Sequence, residues 1–103
     1  MTATTNVVTL RVDLKVRDYD RWRQAFEGDA GGRAKNGALR YRIFRPIEAT
    51  DEVSLDLDFD SADRAEAFLE IMRTSVWPDP DKAPAMIGAP HTRIVKLVET
   101  HEY

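Results

Sequence analysis

The sequence predicts an α+β fold in which four antiparallel strands form one sheet and two helices cover one of its faces. The chain has 103 residues, which is enough for one domain and its core. Four segments alternate apolar and polar residues with the period of a strand, and two carry apolar residues at helical spacing. These segments follow one another in the order β-α-β-β-α-β. A chain this short has room for only one sheet, so the four strands belong to it.

The first strand and the first helix open the domain. Leucine and valine alternate with charged residues from Val8 to Val16, which gives this strand one buried face. Asp18 follows as an N-cap residue. Beyond it, apolar side chains recur every three or four positions, as in an amphipathic helix, at Tyr19, Trp22, Ala25 and Phe26.

Glycine interrupts this helix in the segment GDAGGR, residues 28–33. Each glycine costs up to ~1 kcal/mol relative to alanine in a helix. Asn36-Gly37 then gives a left-handed C-cap signal. We interpret the segment as a broken second half of the helix, in preference to a segment that moves beside a pocket.

Two strands of a hairpin come next. The first of them has a period of two at Leu39, Tyr41 and Ile43, and it ends before Pro46. The second covers residues 53–59 and carries Val, Leu, Leu and Phe on its inner face. The outward residues of the two strands have matching parity. We therefore expect a cross-strand ladder of opposite charges, in which Arg40 and Arg42 face Asp56 and Asp58.

The second half of the domain holds the other helix and the last strand. Asp60 or Ser61 caps a helix whose apolar stripe runs to Val76. A proline-rich connection, residues 77–91, leads to a strand at 92–99. The prediction is a flexible leader at 1–7, one domain at 8–100 and a tail at 101–103. Two helices on one face of such a sheet make the arrangement ferredoxin-like.

Composition excludes several classes of function. The absence of cysteine rules out disulfides, thiolate metal sites and a cysteine nucleophile. The net charge of -3, with carboxylates on the sheet, argues against a nucleic-acid partner. No apolar run is long enough to span a membrane, and the N-terminus lacks the pattern of a signal peptide. We expect a cytoplasmic protein without a membrane partner.

The run SLDLDFDS is the most suggestive candidate for a metal loop. Asp56, Asp58 and Asp60 match the first, third and fifth ligands of an EF-hand. Ser61 and Ala67 then stand where that loop needs glycine and a bidentate glutamate. The alternation with apolar residues also demands an extended backbone. The run is a strand with one charged face, and we predict no metal site.

Three segments resemble small proteins of the dimeric α/β-barrel superfamily, described as antibiotic-biosynthesis-monooxygenase-like or cyclase-like. They are DYDRWRQAF at 18–26, GALRYRIFRP at 37–46 and EVSLDLDFDSADRAEAFL at 52–69. The resemblance implies a homodimer that closes two sheets into one barrel, with an apolar cleft between sheet and helices. It also implies no cofactor, since members include cofactor-independent oxygenases of aromatic molecules. Others are cyclases or isomerases, haem-degrading enzymes, or proteins without assigned activity.

The candidate site residues lie around this expected cleft. Histidine is the residue type most often used as a general base, and His91 is therefore the candidate for that role. Neither His91 nor His101 falls in the second helix, where haem-degrading relatives place their ligand, and the two do not make a zinc site. Candidate pocket-lining residues are Trp22, Phe26, Tyr41, Trp77 and Met86.

The function expected from this resemblance is a cofactor-independent monooxygenase or cyclase acting on a hydrophobic or aromatic small molecule. The alternative is a non-catalytic ligand-binding or stress-response barrel whose cleft is filled by side chains. His91 can equally be a solvated residue before a strand, and the aromatic residues can be ordinary core. These alternatives remain open at the level of sequence.

Overall fold

The structure is a computed structural model and describes residues 7–48 and 51–103. The predicted leader, residues 1–7, lies outside this range except for its last residue. The elements follow the predicted order. They are β1 (Val8–Val16), α1 (Tyr19–Glu27), β2 (Arg40–Phe44), β3 (Glu52–Phe59), α2 (Ala62–Ile71), a π-helical turn (Met72–Val76) and β4 (Met86–Lys96).

The four strands form one antiparallel sheet in the order β2-β3-β1-β4. β1 lies in the middle, where it pairs with β3 on one side and β4 on the other. The alternation of β1 and β3 sends one set of side chains to the helices and the other to the uncovered side. We call the uncovered side the open face; in β1 it carries Thr9, Arg11, Asp13 and Lys15. The predicted ferredoxin-like subunit is confirmed.

The core lies between the sheet and the two helices. β1 and β3 contribute valine, leucine and Phe59, α1 contributes Trp22, and α2 contributes Ala65 and Phe68. Phe59 and Phe68 are almost fully buried, and their rings lie 5.7 Å apart. Burial of these two aromatic side chains supplies a large share of the apolar area removed from water.

Both helices begin at the polar residues that the sequence predicted. The Asp18 carboxylate accepts a hydrogen bond from the backbone N–H of Arg21 at 3.1 Å, and Ser61 Oγ accepts one from Arg64 at 3.2 Å. Of the two candidates for the second cap, Ser61 is therefore the residue used. Each cap satisfies one of the backbone donors that a helix start leaves without a partner.

The interruption of the first helix is also confirmed. α1 ends at Glu27, and a series of turns replaces the helix as far as Gly37. Asp29 and Gly32 have left-handed backbones with φ of 55° and 69°, and Gly37 has φ of 99°. Aspartate tolerates this conformation better than most residues, and glycine adopts it freely.

The last strand differs from the prediction. β4 begins at Met86, so the second half of the predicted connection 77–91 is strand. Proline in residues 80–90 suggested a loop, because proline cannot donate a hydrogen bond to a ladder. The register of β4 against β1 shifts between Asp13 and Lys15, and Pro90 falls within that irregularity on an edge strand. A bulge on an edge accommodates such a residue.

Candidate functional site

An apolar cavity of about 50 Å³ lies between the helices and the sheet. α1, the glycine-rich turns after it, the π-helical turn and the segment before β4 form its walls, and β1 and β3 form its floor. Its lining includes Val12, Leu14, Trp22, Ala25, Phe26, Asp29, Ala30, Gly31, Arg33, Leu55, Leu57, Phe68, Met72, Val76, Trp77, Lys82, Ala83 and Met86.

The π-helical turn directs three side chains to this cavity. The Trp77 backbone N–H donates to the Met72 carbonyl oxygen at 2.8 Å, one residue beyond the usual helical partner. The wider turn rotates the residues that follow it relative to a regular helix. Met72, Val76 and Trp77 consequently all line the cavity. π-Helical turns often occur at functional sites.

The glycine-rich turns close the cavity from the other side. A Cβ atom on Gly31 would lie 2.8 Å from Met72 Sδ and 3.2 Å from the Phe68 ring. A side chain at this position would require Met72 to change its conformation and the Phe68 ring to shift by a few tenths of an ångström. Gly31 therefore lets the turns pack closely on these two side chains and contributes to the narrowness of the cavity.

One carboxylate and two cations border this apolar space. Asp29, Arg33 and Lys82 are the charged residues among its described lining. Asp29 Oδ1 accepts a hydrogen bond from the backbone N–H of Arg33 at 2.8 Å and lies 3.5 Å from Arg33 Nη1. Arg33 Nη1 also donates to the Phe26 carbonyl oxygen at 2.8 Å. Charge is thus concentrated at the turn that follows α1.

Four of the predicted pocket residues meet at this cavity. Trp22 is buried, Phe26, Trp77 and Met86 are half-buried, and all four line the cavity. The rings of Trp22 and Phe26 stack, with centroids 5.3 Å apart. Tyr41 is not part of the lining. Its exposed ring makes an edge contact with Phe26 at 4.9 Å and borders an outer groove.

His91 lies on the opposite side of the sheet. It pairs with Asp13 in the ladder between β4 and β1 and is exposed on the open face. A general base in the cavity cannot come from this position, because the sheet separates the two. The register decides this position, because His91 lies opposite Asp13, whose side chain is on the open face, and a cross-strand neighbour shares that face.

The sequence analysis missed Asp29, Arg33 and Lys82 as cavity residues. The segment GDAGGR held a signal for the first two, because an aspartate between glycines favours a left-handed turn that brings later side chains back. Nothing in the local pattern around Lys82 indicates which way its side chain lies.

The open face carries the predicted charge ladder. Asp58 lies opposite Arg40 and Asp56 lies opposite Arg42, with nitrogen–oxygen distances of 2.6 and 3.4 Å. Arg11 adds two hydrogen bonds of 3.0 Å to Asp56 from the other side. Those hydrogen bonds lower the pKa of the Asp56 carboxyl, against the burial that raises it. The carboxylates are structural partners of these arginines.

No group of three or more His, Asp or Glu side chains in residues 7–48 and 51–103 is arranged to hold a metal ion. In the same part of the chain no helix is long and apolar enough to cross a membrane.

No protein-family model matches the sequence, and no curated protein matches it significantly. Solved structures do resemble it. A Bordetella bronchiseptica protein assigned as an antibiotic biosynthesis monooxygenase has a TM-score of 0.73 and 11% identity, over 91% of this chain and 99% of that one. SnoaB, a cofactor-independent oxygenase from Streptomyces nogalater, has a TM-score of 0.71 and 14% identity, over 92% and 96% of the two chains.

A third neighbour, from an uncultured marine organism, is described as a dimeric ferredoxin-like protein. Its TM-score is 0.67 at 10% identity, over 92% of this chain and 98% of that one. At such identities the likeness concerns the fold. The chain therefore has the ferredoxin-like fold of the antibiotic biosynthesis monooxygenase-like proteins, as its sequence resemblance implied.

Proposed function

We propose that this protein is a cofactor-independent monooxygenase that takes a hydrophobic or aromatic small molecule into the helix–sheet cavity. The observation that carries this proposal is an apolar cavity with a single described carboxylate, Asp29, at its rim. The fold it shares with SnoaB supports the same chemistry. The cavity provides an environment from which water is largely excluded.

An oxygenase without a cofactor needs a substrate that gives its own electrons to O2. A carbon acid next to a carbonyl group does so once it loses a proton and becomes an enolate. The enolate and O2 form a peroxide anion, which takes the proton back from the protonated base and becomes a hydroperoxide. The hydroperoxide then loses water, so that a CH2 group and O2 become a C=O group and water. The protein has to supply a base, a shape that fits the substrate and exclusion of water.

Asp29 is the residue that fits the role of the general base. Both contacts described for its carboxylate, with the backbone N–H and with Nη1 of Arg33, involve Oδ1. Oδ2 is therefore available to accept the substrate's proton. Asp29 takes the part that the sequence analysis gave to His91, which the sheet separates from the cavity.

The small size of the cavity is the observation behind a second candidate function, a non-catalytic barrel. About 50 Å³ holds a few water molecules, whereas pockets for drug-sized ligands have volumes of roughly 300–1,000 Å³. A ligand has to displace the turns around Gly31 or the Met72 side chain. If neither the turns nor the Met72 side chain moves, the cavity is a small packing defect of the core and binds no ligand.

Oxygen uptake distinguishes the two functions. Anthrone, which has an acidic CH2 group beside aromatic rings, is incubated with the protein in air-saturated buffer without any added cofactor. We expect O2 consumption above the spontaneous rate, a product with one oxygen in place of two hydrogens, and loss of most of this rate in Asp29→Asn. Asp63→Asn is the matched control, since Asp63 lies in the first turn of α2 and is exposed.

A product of unchanged mass would indicate a cyclase or isomerase. Binding of anthrone without turnover would favour the non-catalytic alternative. Absence of binding, seen as unchanged fluorescence of Trp22 and Trp77, would sink the proposal that this cavity takes an aromatic molecule of this size.

We also propose that the protein works as a homodimer in the cytoplasm, with the open faces of two copies packed together. The description of a neighbour as a dimeric ferredoxin-like protein supports the dimer. The open face is also the one that neither α1 nor α2 covers. Sedimentation velocity at micromolar concentration is expected to give the mass of two chains, and a single-chain mass would contradict the dimer.

A further inference from the structure

Arg33 lies where the cavity meets an outer groove. It lines both spaces, together with Asp29 and Leu57. The groove is open, has a volume of about 360 Å³ and is bordered by Leu39, Arg40 and Tyr41 at the start of β2. A ligand larger than the cavity would therefore extend past Arg33 into this groove.

The guanidinium group of Arg33 packs over the Phe26 ring and lies near the Tyr41 ring, and the two rings contact each other. Its central carbon lies 3.7 Å from the centre of the Phe26 ring and 5.2 Å from the centre of the Tyr41 ring. The side chain is only 18% exposed. Stacking of this kind fixes the plane of the guanidinium and favours its positive charge. The group is ordered before any ligand arrives.

One edge of this guanidinium has no partner among residues 7–48 and 51–103. The contacts with Phe26 and Asp29 both involve Nη1. Arg11 shows what the other edge can do, because its Nε and Nη2 each donate to a different oxygen of Asp56 at 3.0 Å. The equivalent pair of donors on Arg33 is unused. Neither of these two nitrogens is a buried atom without a partner, so this edge reaches solvent at the groove, where a pair of acidic oxygens can approach it.

We propose that Arg33 selects the ligand of this site, by donating hydrogen bonds from its Nε–Nη2 edge to the acidic oxygens of a planar aromatic anion. The ligand class is an aromatic molecule that carries a carboxylate, phenolate or enolate. Its rings occupy the apolar cavity and the groove, and its charge lies at their junction. This inference rests on the proposed function, because it requires that the cavity admit a ligand. It adds to the proposed function the chemical class of the ligand and the residue that recognises its charge.

Matched charged and neutral probes test this assignment. 2-Naphthoate and naphthalene-2-carboxamide have the same rings and nearly the same shape, and only the first is an anion. Each is titrated into 15N-labelled protein and followed by amide and indole chemical shifts. We expect naphthoate to bind about tenfold more tightly, because a charge-assisted bidentate pair is stronger than a neutral hydrogen bond.

Substitution of the arginine separates charge recognition from cavity binding. Arg33→Met should bind both probes with similar affinity, near that of the carboxamide for the unmodified protein. Arg33→Lys keeps the charge but not the planar fork, so about threefold preference should remain. Arg23→Met is the control, because Arg23 lies 5.8 Å from the same Phe26 ring but does not line the cavity.

The outcomes distinguish this inference from the proposed function. Equal affinity for the two probes in the unmodified protein, or full preference for naphthoate retained in Arg33→Met, would overturn the role of Arg33 and leave the binding cavity intact. Binding of neither probe would overturn the binding cavity itself. If Arg33→Met does not fold, full preference in Arg33→Lys is the result that contradicts the bidentate assignment.

Discussion

The two faces of the sheet bury side chains by different means. On the helix side, β1 and β3 present leucine, valine and Phe59, and the helices exclude water from them. On the open face, Asp56 and Asp58 are 3% and 2% exposed although no helix covers them. Their own arginine partners cover them, while those arginine side chains remain 39–53% exposed.

The comparison shows that a buried carboxylate does not by itself indicate a functional site. Asp56 and Asp58 are far more buried than Asp29, yet each has charged or hydroxyl partners, including Thr9, whose hydroxyl donates to Asp58 at 2.7 Å. Asp29 is more exposed and has an oxygen without a partner among the described contacts. Unused hydrogen-bonding capacity beside an apolar cavity is the better indicator of a site.

The largest effect is expected on the helix side, for Phe68→Ala. Phe68 is 1% exposed, packs on Phe59 and lines the cavity. Removal of a buried aromatic ring usually costs ~3–5 kcal/mol in the free energy of unfolding, from lost burial and the space left behind. Urea denaturation at pH 7 measures it.

Phe44→Ala is the matched control on the other face. The Phe44 ring is 50% exposed on the edge strand β2 of the single chain, so in the monomer at high dilution its loss should change the unfolding free energy by no more than ~0.5 kcal/mol. In the proposed dimer the partner covers this face, so the cost should rise with protein concentration. A cost close to that of Phe68→Ala would show that the open face is covered in solution. The two variants together measure how different the faces are.

A smaller effect, with a pH signature, is expected for Asp56→Asn. The variant loses charge-assisted hydrogen bonds from Arg11 and Arg42, which we expect to cost ~1–3 kcal/mol at pH 7. The pKa of Asp56 is lowered in the folded protein from 3.8, so the unfolded chain takes up the proton first as the pH falls. Its contribution is complete above pH 3.8 and is lost as the pH falls through the folded pKa.

Urea denaturation at several pH values therefore gives a clear expectation. The difference between the unmodified protein and Asp56→Asn should be constant near neutral pH and narrow at low pH. Asp60→Asn is the control, because Asp60 is 61% exposed and its 3.4 Å pair with Arg64 lies in solvent. A pH-independent difference would mean that Asp56 contributes by packing alone.

Much of the fold follows from periodic patterns in the sequence. The period of two in β1 and β3 determines which of their side chains face the helices. The helical spacing likewise places Trp22 and Phe68 on the faces that meet the sheet. Both patterns are local properties of the sequence. The charge ladder followed from the same parity. The start of β4 did not, because proline near a strand end is compatible with either a loop or an edge bulge.

The candidate site was less predictable. Trp22, Phe26, Trp77 and Met86 do line one cavity, because large apolar residues converge wherever helices meet a sheet. The position of His91 depends on the register of β4, which the sequence does not show. The positions of the Asp29 and Arg33 side chains depend on left-handed turns and on the close approach of Gly31 to Met72. These features arise from the three-dimensional packing and not from a local sequence pattern.

The smallest effect on the isolated chain is expected for Arg93→Ala, which probes whether the open face meets water. Arg93 is exposed and lies directly opposite Arg11, so like charges face each other across two strands. Its removal should change the unfolding free energy of the isolated chain by at most ~0.5 kcal/mol.

The same variant tests the proposed dimer. If a second copy covers this face, Arg93→Ala should weaken the affinity of the dimer about tenfold in low salt and less in high salt, since exposed charges are screened. Arg64→Ala, on the helix side, should leave the dimer unchanged, and an equal loss in both variants would rule out the open face as the interface.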